Sequence, residues 1–340
     1  MRDADRPGIL PSQSIEALIA AGAITSETPF DPDQVQPASL DLRLGSRVWR
    51  VRASFLPGRG RKVVERIREV AMHELDLEAG AVLERGCVYI AELQERLALP
   101  AGVSARANPK SSTGRVDVFV RLLSDGTPAF DDVAEGYRGP TFIEIAPQTF
   151  SVLVRRGTRL NQLRLKQGVP ERLRIESVGV DLSDGVAGFR ARRHAPVVDL
   201  DKEDGHDPRH YWEPMIPREG QLLLDPGEFY ILASKEAVEI PVTEAAEMTP
   251  IDPSVGEFRV HYAGFFDPGF GTDEAHGKGS RGVLEVRSHE TPFILEDGQT
   301  VARLVYEPLT ERPQRLYGDL GSHYQRQGLK LSKHFRAWGE

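Results

Sequence analysis

Cysteine is almost absent from this sequence: Cys87 is the only one among 340 residues. A lone cysteine excludes an intrachain disulfide and indicates a reducing compartment. It also excludes zinc sites that need two or more cysteine ligands. Because Cys87 lies in the strand-like run Cys-Val-Tyr-Ile-Ala, we expect a buried core thiol rather than a nucleophile.

Long apolar runs are absent too. No run approaches the roughly 20 residues that span a bilayer, and no hydrophobic stretch follows the charged start of the chain. The sequence therefore predicts a cytoplasmic protein with no signal peptide and no membrane partner. With 43 basic and 51 acidic residues, the net charge of −8 argues against a nucleic acid as the main partner.

Glycine and proline, by contrast, are plentiful and scattered between short apolar runs, which is typical of an all-β chain. We predict strands at 40–45, ending at Gly45, at 152–154 and at 293–295. One helix is predicted near the start, with Ser12 as its cap and Gly22 beyond its end. A weaker helical pattern covers residues 63–74.

An internal repeat organises the chain. Landmarks of the first half recur 141 residues later: Gly86 with Gly227, Glu95 with Glu236, Pro100 with Pro241, Glu144 with Glu285, Gly157 with Gly298, Leu163 with Leu304. One constant offset over so long a stretch indicates two copies of one β unit. We predict units at 1–170 and 214–340, joined by a connecting segment at 171–213 that shows little pattern. The predicted fold class is mostly β, with two tandem units.

The first candidate site motif is Lys110-Ser111-Ser112-Thr113-Gly114-Arg115. Its hydroxyls and backbone N–H groups can donate to phosphate oxygens, and Arg115 can grip two oxygens at once. The alternative is a capped turn with solvated cations. The motif therefore predicts, without proving, a polyphosphate site.

The second motif is a carboxylate inside an apolar strand, present as Glu144 and Glu285. On a strand each glutamate points away from its aliphatic neighbours, towards a cleft or an interface. Partial desolvation there would raise the pKa of the carboxyl and let it accept a proton from water near neutral pH. The alternatives are an ordinary outward-facing glutamate or a structural salt bridge that recurs in both copies.

The third motif surrounds the turn Asp267-Pro268-Gly269. Aromatic side chains beside this turn could stack on a base, although such a motif is more often only a turn. Metal ligands are not expected: His206 and His210 lie four residues apart in a polar, proline-interrupted segment, where we predict an exposed loop.

Together these motifs resemble the deoxycytidine triphosphate (dCTP) deaminase family and the related deoxyuridine triphosphatases. The resemblance rests on four segments in the family's order: 36–45 (Gln-Pro-Ala-Ser-Leu-Asp-Leu-Arg-Leu-Gly), Ser111-Ser112-x-x-Arg115, Asp267 to Glu285, and Tyr317 with 324–328. It implies distorted β-barrels in a trimeric ring, with sites between neighbours. One unit would supply Ser-Ser-x-x-Arg and another the glutamate.

The resemblance also implies hydrolytic deamination of dCTP to dUTP and ammonia without zinc, with Glu285 or Glu144 as the general base. Mg²⁺ would accompany the triphosphate, and dUTP or dTTP are further expected ligands. The substrate-binding residues that it implies are Lys110, Ser111, Ser112, Arg115, Ala263, Asp267, Phe270, Tyr317, Tyr324 and Gln327.

The chain departs from the family pattern in several places. The second half lacks Ser-Ser-x-x-Arg, and the first lacks the closing tail. The family's arginine before the Asp-Pro-Gly turn is replaced by Phe265, and residues 272–280 are additional. Our preferred site joins Ser111, Ser112 and Arg115 to Glu285 and the tail. The competitor is a ring of first halves that uses Glu144.

Three other functions stay open from the sequence. The same scaffold could serve as a dUTP diphosphatase or as a bifunctional deaminase and diphosphatase. Because each half has lost a motif, a nucleotide-binding regulator without catalysis is the alternative from another class. We expect a homo-oligomer in each case.

Overall fold

A computed structural model describes residues 6–183, 185–251, 258–261, 264–288, 290–321, 324 and 326–339, with backbone only at 258–261. Three helices occur in these ranges: α1 (Ser12–Ala20), α2 (Val63–Val70) and α3 (Ser111–Gly114), beside a short 3-10 helix at Pro208–His210. The rest is mainly strand, so the predicted mostly β fold class is confirmed. No helix in these ranges is long and apolar enough to cross a membrane.

The first unit is built on a large antiparallel sheet. Its strands are β1 (Gly8–Ile9), β2 (Ile24–Ser26), β3 (Leu40–Val51), β4 (Ala71–Asp76), β5 (Ala81–Leu83), β6 (Val88–Ala98), β7 (Val103–Pro109), β8 (Val118–Ser124), β9 (Asp132–Val133), β10 (Arg138–Pro147), β11 (Val152–Val154) and β12 (Arg159–Gln167). The large sheet runs β8-β10-β6-β3-β12-β7-β9, with β1, β2 and β4 paired beside this path, whereas β5 and β11 pair with each other in a separate sheet. This order brings β7, which leads into α3, next to β12.

The second unit repeats this pattern in smaller sheets. Its strands are β13 (Arg174–Gly179), β14 (Gly188–Ala191), β15 (Val198–Asp199), β16 (Trp212–Met215), β17 (Gln221–Leu224), β18 (Phe229–Ala237), β19 (Glu244–Pro250), β20 (Phe258–His261), β21 (Phe265–Phe266), β22 (Arg281–Ser288), β23 (Phe293–Glu296) and β24 (Thr300–Pro308). Two sheets run β16-β14-β18-β22-β20 and β13-β24-β19-β21, and β17 pairs with β23.

The 141-residue offset is visible in the strand pairing. Leu163 pairs with Ala107 between β12 and β7, and Leu304 pairs with Met248 between β24 and β19. Each pair is related to the other by the same offset. The two copies detected in the sequence are therefore copies of one pairing scheme.

The segment 171–213, predicted as a connection with little pattern, contains β13, β14 and β15 and the start of β16. β13 pairs with β24 and β14 pairs with β18, so both belong to sheets of the second unit. β15 instead pairs with β11 of the first unit. The division of the chain at residues 170 and 214 stays a prediction.

The loops after two equivalent strands take different paths. β3 pairs with β6 and β4, and β14 pairs with β18 and β16, so the loops 52–70 and 192–211 hold equivalent places. Loop 52–70 packs its own α2 against its own unit. Loop 192–211 crosses to the first unit through β15. This difference shapes the site described below.

Local expectations differ from the structure at several points. Ser12 is the first helical residue, and Pro11 holds the cap position without a capping side chain. β3 continues past Gly45 to Val51, because a glycine lets the backbone pass Glu92, whose carbonyl oxygen would lie 2.8 Å from an added Cβ. The predicted helix at 63–74 ends at Val70, where β4 begins.

Two expectations about burial are also corrected. Cys87 is half-buried at the start of β6 and not sealed in the core. His206 is half-buried as well, since its ring packs 5.6 Å from that of Tyr211, whereas His210 is exposed as expected.

The two units pack directly on each other. Ile9 and Ala38 of the first unit form one buried cluster with Ala245 and Leu309 of the second. Arg164 of β12 is fully buried and donates hydrogen bonds to the carbonyl oxygens of Ala246 and Phe266. The interface between the units is therefore an apolar contact at one place. At another place the buried Arg164 guanidinium hydrogen-bonds to backbone carbonyl oxygens of the second unit.

Candidate active site

The predicted phosphate motif lines a cavity of about 400 Å³ whose walls come from both units. The first unit contributes Asp33, Asp41, Lys110, Ser111, Ser112 and Arg159. The second contributes Phe265, Asp267, Tyr317 and Tyr324, and the loop 192–211 and the chain end add Asp201, Glu203, Lys333 and His334. Residues far apart in the sequence thus share one cavity.

The phosphate motif forms the short helix α3 directly after β7. Ser112, Thr113 and Gly114 are buried, and Ser111 is half-buried at the cavity. Lys110 lies on the wall and pairs with Asp41, while the guanidinium of Arg159 lies 3.6 Å from the same carboxylate. The Oδ1 atom of Asp41 is buried without a hydrogen-bond partner. Cations and hydroxyls therefore line one side of the cavity.

A smaller cavity of about 40 Å³ adjoins this one, because Ser111, Phe265 and Tyr317 line both. Glu285 and Arg115 line only the smaller one. The structure therefore brings the Ser-Ser-x-x-Arg motif of the first unit to the glutamate of the second.

Glu285 lies on β22 between Leu284 and Val286, both of which are buried in the core of the second unit. Strand alternation turns Glu285 to the opposite face, where its exposed fraction is 4%. Burial raises the pKa of Glu285 to about 8, against the opposing effect of the Arg115 cation. The Arg115 Nε atom lies 3.9 Å from Oε1 of Glu285.

Arg115 ties this cavity to the C-terminal segment. Its guanidinium donates to Oε1 of Gln327 (3.0 Å) and to the carbonyl oxygen of Lys330 (3.1 Å). It also lies over the ring of Tyr324, 3.9 Å from the centroid. Gln327 in turn donates to the carbonyl oxygen of Arg281, at the start of β22 (2.9 Å). Tyr324 and Gln327, both predicted as substrate-binding residues, thus meet Arg115.

The additional residues 272–280 contact the same segment. Arg326 donates from Nε to the carbonyl oxygen of His276 (2.7 Å) and from its backbone N–H to Oγ of Ser280 (3.0 Å). The insertion therefore lies against the residue that precedes Gln327.

The segment around Asp267 borders both cavities: Asp267 lines the larger one, and Phe266 and Phe270 line the smaller one. Burial raises the pKa of Asp267 to about 6, and its Oδ1 lies 3.5 Å from the Arg164 guanidinium. Phe270 packs edge-on against Tyr317, with 5.1 Å between centroids. Arg164 also lies 3.9 Å from the ring centroid of Phe265, so a cation from the first unit stands beside the position that lacks the family's arginine. Ala263 lies outside the described residues.

Glu144 lies elsewhere. It is buried on β10 and accepts a hydrogen bond from Nε of Arg121 (3.0 Å), and Arg121 is covered by the ring of Phe130 at 3.6 Å. The apolar cluster of α2 and loop 52–70 packs beside it, with Ser54 accepting from Arg121. Glu144 lines neither of the two cavities. Within the single chain, the structure therefore brings Glu285, and not Glu144, to Ser111 and Arg115.

Several charged lining residues were not found by sequence reasoning, among them Asp41, Arg159, Lys333 and His334. Asp41 lies inside the signature segment 36–45 but received no role, and Arg159, Lys333 and His334 carry no motif. Arg164 lies behind the cavity wall. The sequence held one sign of its burial, namely its position between two leucines in an apolar strand. Such a residue is buried only when it is paired.

The mostly β fold, the hydroxyl- and cation-lined cavity and the buried carboxyl with a raised pKa are the features expected of an enzyme with a dUTPase-like fold that acts on a nucleoside triphosphate. Comparison with known families supports this class. Residues 6–169 match the family model "2'-deoxycytidine 5'-triphosphate deaminase (DCD) N-terminal domain", and residues 153–335 match that of the C-terminal domain. The chain therefore belongs to the dCTP deaminase family, as the sequence predicted.

A solved structure gives the same result. The chain is similar to the crystal structure of 2'-deoxycytidine 5'-triphosphate deaminase from Agrobacterium tumefaciens, at 53% identity and a TM-score of 0.85. The match covers 89% of this chain and 99% of the other. The predicted enzyme class, a hydrolase that deaminates dCTP, is confirmed.

Curated relatives match about half of this chain. A Thermobifida fusca protein is 29% identical over 160 residues, which cover 47% of this chain and 78% of that protein. A Methanothermobacter thermautotrophicus protein is 32% identical over 155 residues, covering 44% and 72%. Both are named "dCTP deaminase, dUMP-forming". The family name thus includes enzymes with a product other than the dUTP expected from the sequence.

Proposed function

We propose that this dCTP deaminase works through one composite site within a single chain and releases dUTP and ammonia. The observation that carries the proposal is the position of Glu285, buried in a small cavity beside Arg115 and next to the larger cavity of the phosphate motif. The base of the nucleotide would enter the smaller space and the triphosphate the larger one.

Glu285 would act as the general base. With a pKa of about 8 it can take a proton from water while that water oxygen adds to C4 of cytosine. The same carboxyl would pass this proton to ring N3, then take the remaining proton of the added hydroxyl and give it to the exocyclic nitrogen, so that ammonia leaves as the C4–N bond breaks and the C4 carbonyl of dUTP forms. Arg115 would hold Glu285 in place and keep part of its population ionised.

The triphosphate would lie along α3. Ser111 and Ser112 would donate to its oxygens, and Lys110, Arg159 and Lys333 would balance its charge. Each of these cations faces a carboxylate in the cavity wall: Asp41 for Lys110 and Arg159, and Glu203 for Lys333. The triphosphate would therefore compete with side chains that already hold the cations in place.

Mg²⁺ would enter with the triphosphate, because it takes oxygen ligands and keeps several waters. In the described part of the chain, no three His, Cys, Asp or Glu side chains lie close enough together to hold a metal ion. The buried Oδ1 of Asp41 has no hydrogen-bond partner and is the protein oxygen best suited to such an ion or its water. The chemistry that Mg²⁺ supplies is charge neutralisation of the phosphates.

Glu144 is the less suitable base. The Arg121 guanidinium occupies its Oε1, and aromatic rings and loop 52–70 cover that pair. A composite site with Glu285 needs no second chain, so the expected homo-oligomer stays a separate prediction.

The test is to incubate the purified chain with dCTP and Mg²⁺ and to follow ammonia and nucleotides on one chromatogram. We expect ammonia and dUTP in equal amounts. Ammonia without any deaminated nucleotide, or no ammonia at all, contradicts the proposal. If dCTP binds but is not converted, the alternative function, a nucleotide-binding regulator without catalysis, is favoured instead.

A second product is supported by the names of the curated relatives, which are dUMP-forming. In that case a second water would attack the α-phosphorus, and the same chromatogram would show ammonia, dUMP and pyrophosphate. Supplying dUTP alone separates the two steps, because a deaminase without diphosphatase activity leaves dUTP intact.

A further inference from the structure

The last residues of the chain pair with the loop 192–211. The backbone N–H of Asp204 donates to the carbonyl oxygen of Lys333 (2.9 Å), and that of His206 donates to the carbonyl oxygen of His334 (3.1 Å). The backbone N–H of Arg336 donates to the carbonyl oxygen of His206 (3.0 Å). Three backbone bonds thus hold the chain end as a short parallel partner of this loop.

Phe335 is the side chain that this pairing buries. It is 4% exposed, and its ring lies 5.1 Å from that of Tyr211, 5.9 Å from that of Trp212 and 6.1 Å from that of His206. Edge-on and tilted arrangements at these distances are favourable for aromatic pairs. The loop therefore provides a pocket of three rings for one ring of the chain end.

The pocket itself is fixed to the first unit. Trp212 and Tyr211 pack edge-on against Phe150 at 5.4 and 5.7 Å. β15 pairs with β11, and Arg155 forms an ion pair with Asp199 at 2.8 Å. A ring seated in this pocket is therefore held in a constant position relative to the phosphate motif, which belongs to the same unit.

The residues just before Phe335 form part of the site. Lys333 and His334 line the larger cavity, and Ser332 donates to the carbonyl oxygen of Ser112 in α3 (2.9 Å). The backbone N–H of Lys333 donates to the hydroxyl of Tyr324, whose ring covers Arg115. A displacement of Phe335 would therefore reach Arg115 through two contacts.

We propose that residues 198–212 are the docking surface for the end of the same chain, and that Phe335 is a positioning residue that keeps Tyr324 and Gln327 on Arg115. The equivalent loop 52–70 of the first unit offers no such surface, since its apolar side chains pack on its own sheet. The kinetic part of this inference rests on the proposed function, but the docking itself does not.

Limited trypsin digestion of the full chain tests docking without any activity. In Phe335→Ala we expect cleavage after Lys330, Lys333 and Arg336 to become about tenfold faster, as for a segment that opens about ten times more often. Phe55→Ala removes an equally buried ring from the cluster of loop 52–70 and serves as the control; it should leave cleavage of the chain end unchanged. Unchanged protection in Phe335→Ala overturns the proposal.

Kinetics then test the positioning role. If the chain end is docked in about a tenth of the molecules, the apparent KM for dCTP rises about tenfold while kcat changes less. Water reaching Glu285 would lower the pKa of its carboxyl, so the acid limb of the pH–rate profile should move to lower pH. Phe335→Leu should restore most of both values. Cleavage as fast as that of a chain end undocked in most molecules, together with an unchanged KM, overturns the positioning role.

His206→Ala provides a second variant if Phe335→Ala does not fold. It removes one wall of the pocket and leaves Phe335 in place, so we expect a smaller increase in cleavage in the same direction. If the wild-type chain turns over no dCTP, the proposed function fails, and the digestion results still decide the docking surface.

Discussion

Lys166 and Glu307 occupy the same position in the two copies of the repeat, 141 residues apart, and their side chains form an ion pair with 2.7 Å between Nζ and Oε2. Arg106 and Glu247 are related in the same way, with 3.6 Å between their charged atoms. Equivalent residues meet only near an axis that relates the copies. Two identical copies would bring like charges together there, so these pairs favour association of unlike units.

The first prediction concerns this charge pattern. Reversal of one partner, Lys166→Glu or Glu307→Lys, should lower the free energy of unfolding by about 1–2 kcal/mol, and the double reversal should recover most of it. Chemical denaturation of the three variants gives the coupling energy directly. The exposed pair of Lys278 and Asp273 is the control, for which reversal of Lys278 should leave the free energy of unfolding nearly unchanged. Additive single effects would mean that the pairing carries no specificity.

The second prediction separates the two glutamates. Glu285→Gln should reduce kcat by about 10²–10⁴-fold, the usual contribution of a general base, with dCTP binding retained. Glu144→Gln should leave kcat within about threefold, because Glu144 does not reach either cavity. Ammonia release and calorimetric binding measure the two quantities. Equal losses in both variants would contradict a single site at Glu285.

The third prediction follows from the pKa of Glu285, which burial raises to about 8. As a base the group must be ionised, so kcat/KM should rise with pH and level off above about pH 8. Stability should move the other way. The raised pKa keeps the carboxyl protonated in the folded state while it ionises in the unfolded state, so this contribution is fully present below about pH 4.5 and is lost as pH rises to about 8.

The stability part can be checked by melting temperatures at pH 6 and pH 9. Glu285→Gln carries no ionisable group, so its melting temperature relative to wild type should improve at the higher pH. A difference that is constant across this range would show that Glu285 does not titrate there.

The fourth prediction concerns the geometry of Arg115. Arg115→Lys keeps the charge but cannot donate to Gln327 and Lys330 at once, so we expect kcat/KM to fall by about tenfold or more. The matched control is Arg121→Lys, which makes the same change beside the covered Glu144. Initial rates at low dCTP concentration measure both. Similar losses in the two variants would indicate that only overall stability was affected.

Much of the site could be predicted because its chemistry lies in short motifs. The serine pair with Arg115, and Glu285 between aliphatic neighbours, are local patterns that survive without knowledge of the fold. That they meet in one cavity could be predicted as well, because each copy has lost the motif that the other copy keeps. By contrast, the covering of Glu144 depends on Arg121, which lies directly opposite it on β8, and strand register cannot be read from either sequence segment alone.

The remaining misses share a physical cause. β13, β14 and β15 are short, and their burial depends on sheets formed by strands far along the chain, so the segment 171–213 shows little periodicity. Phe335 and its three aromatic partners are separated by more than a hundred residues. Interactions of this kind are decided by tertiary packing, which local propensity does not encode.

The unequal loops 52–70 and 192–211 have a consequence for how the molecule can change over generations. When identical chains assemble, each inherited substitution appears at every copy of a site simultaneously. Fusion of two copies removes that restriction, because each half mutates independently. Each half can then keep a different part of one site: the first keeps Ser111, Ser112 and Arg115, and the second keeps Glu285.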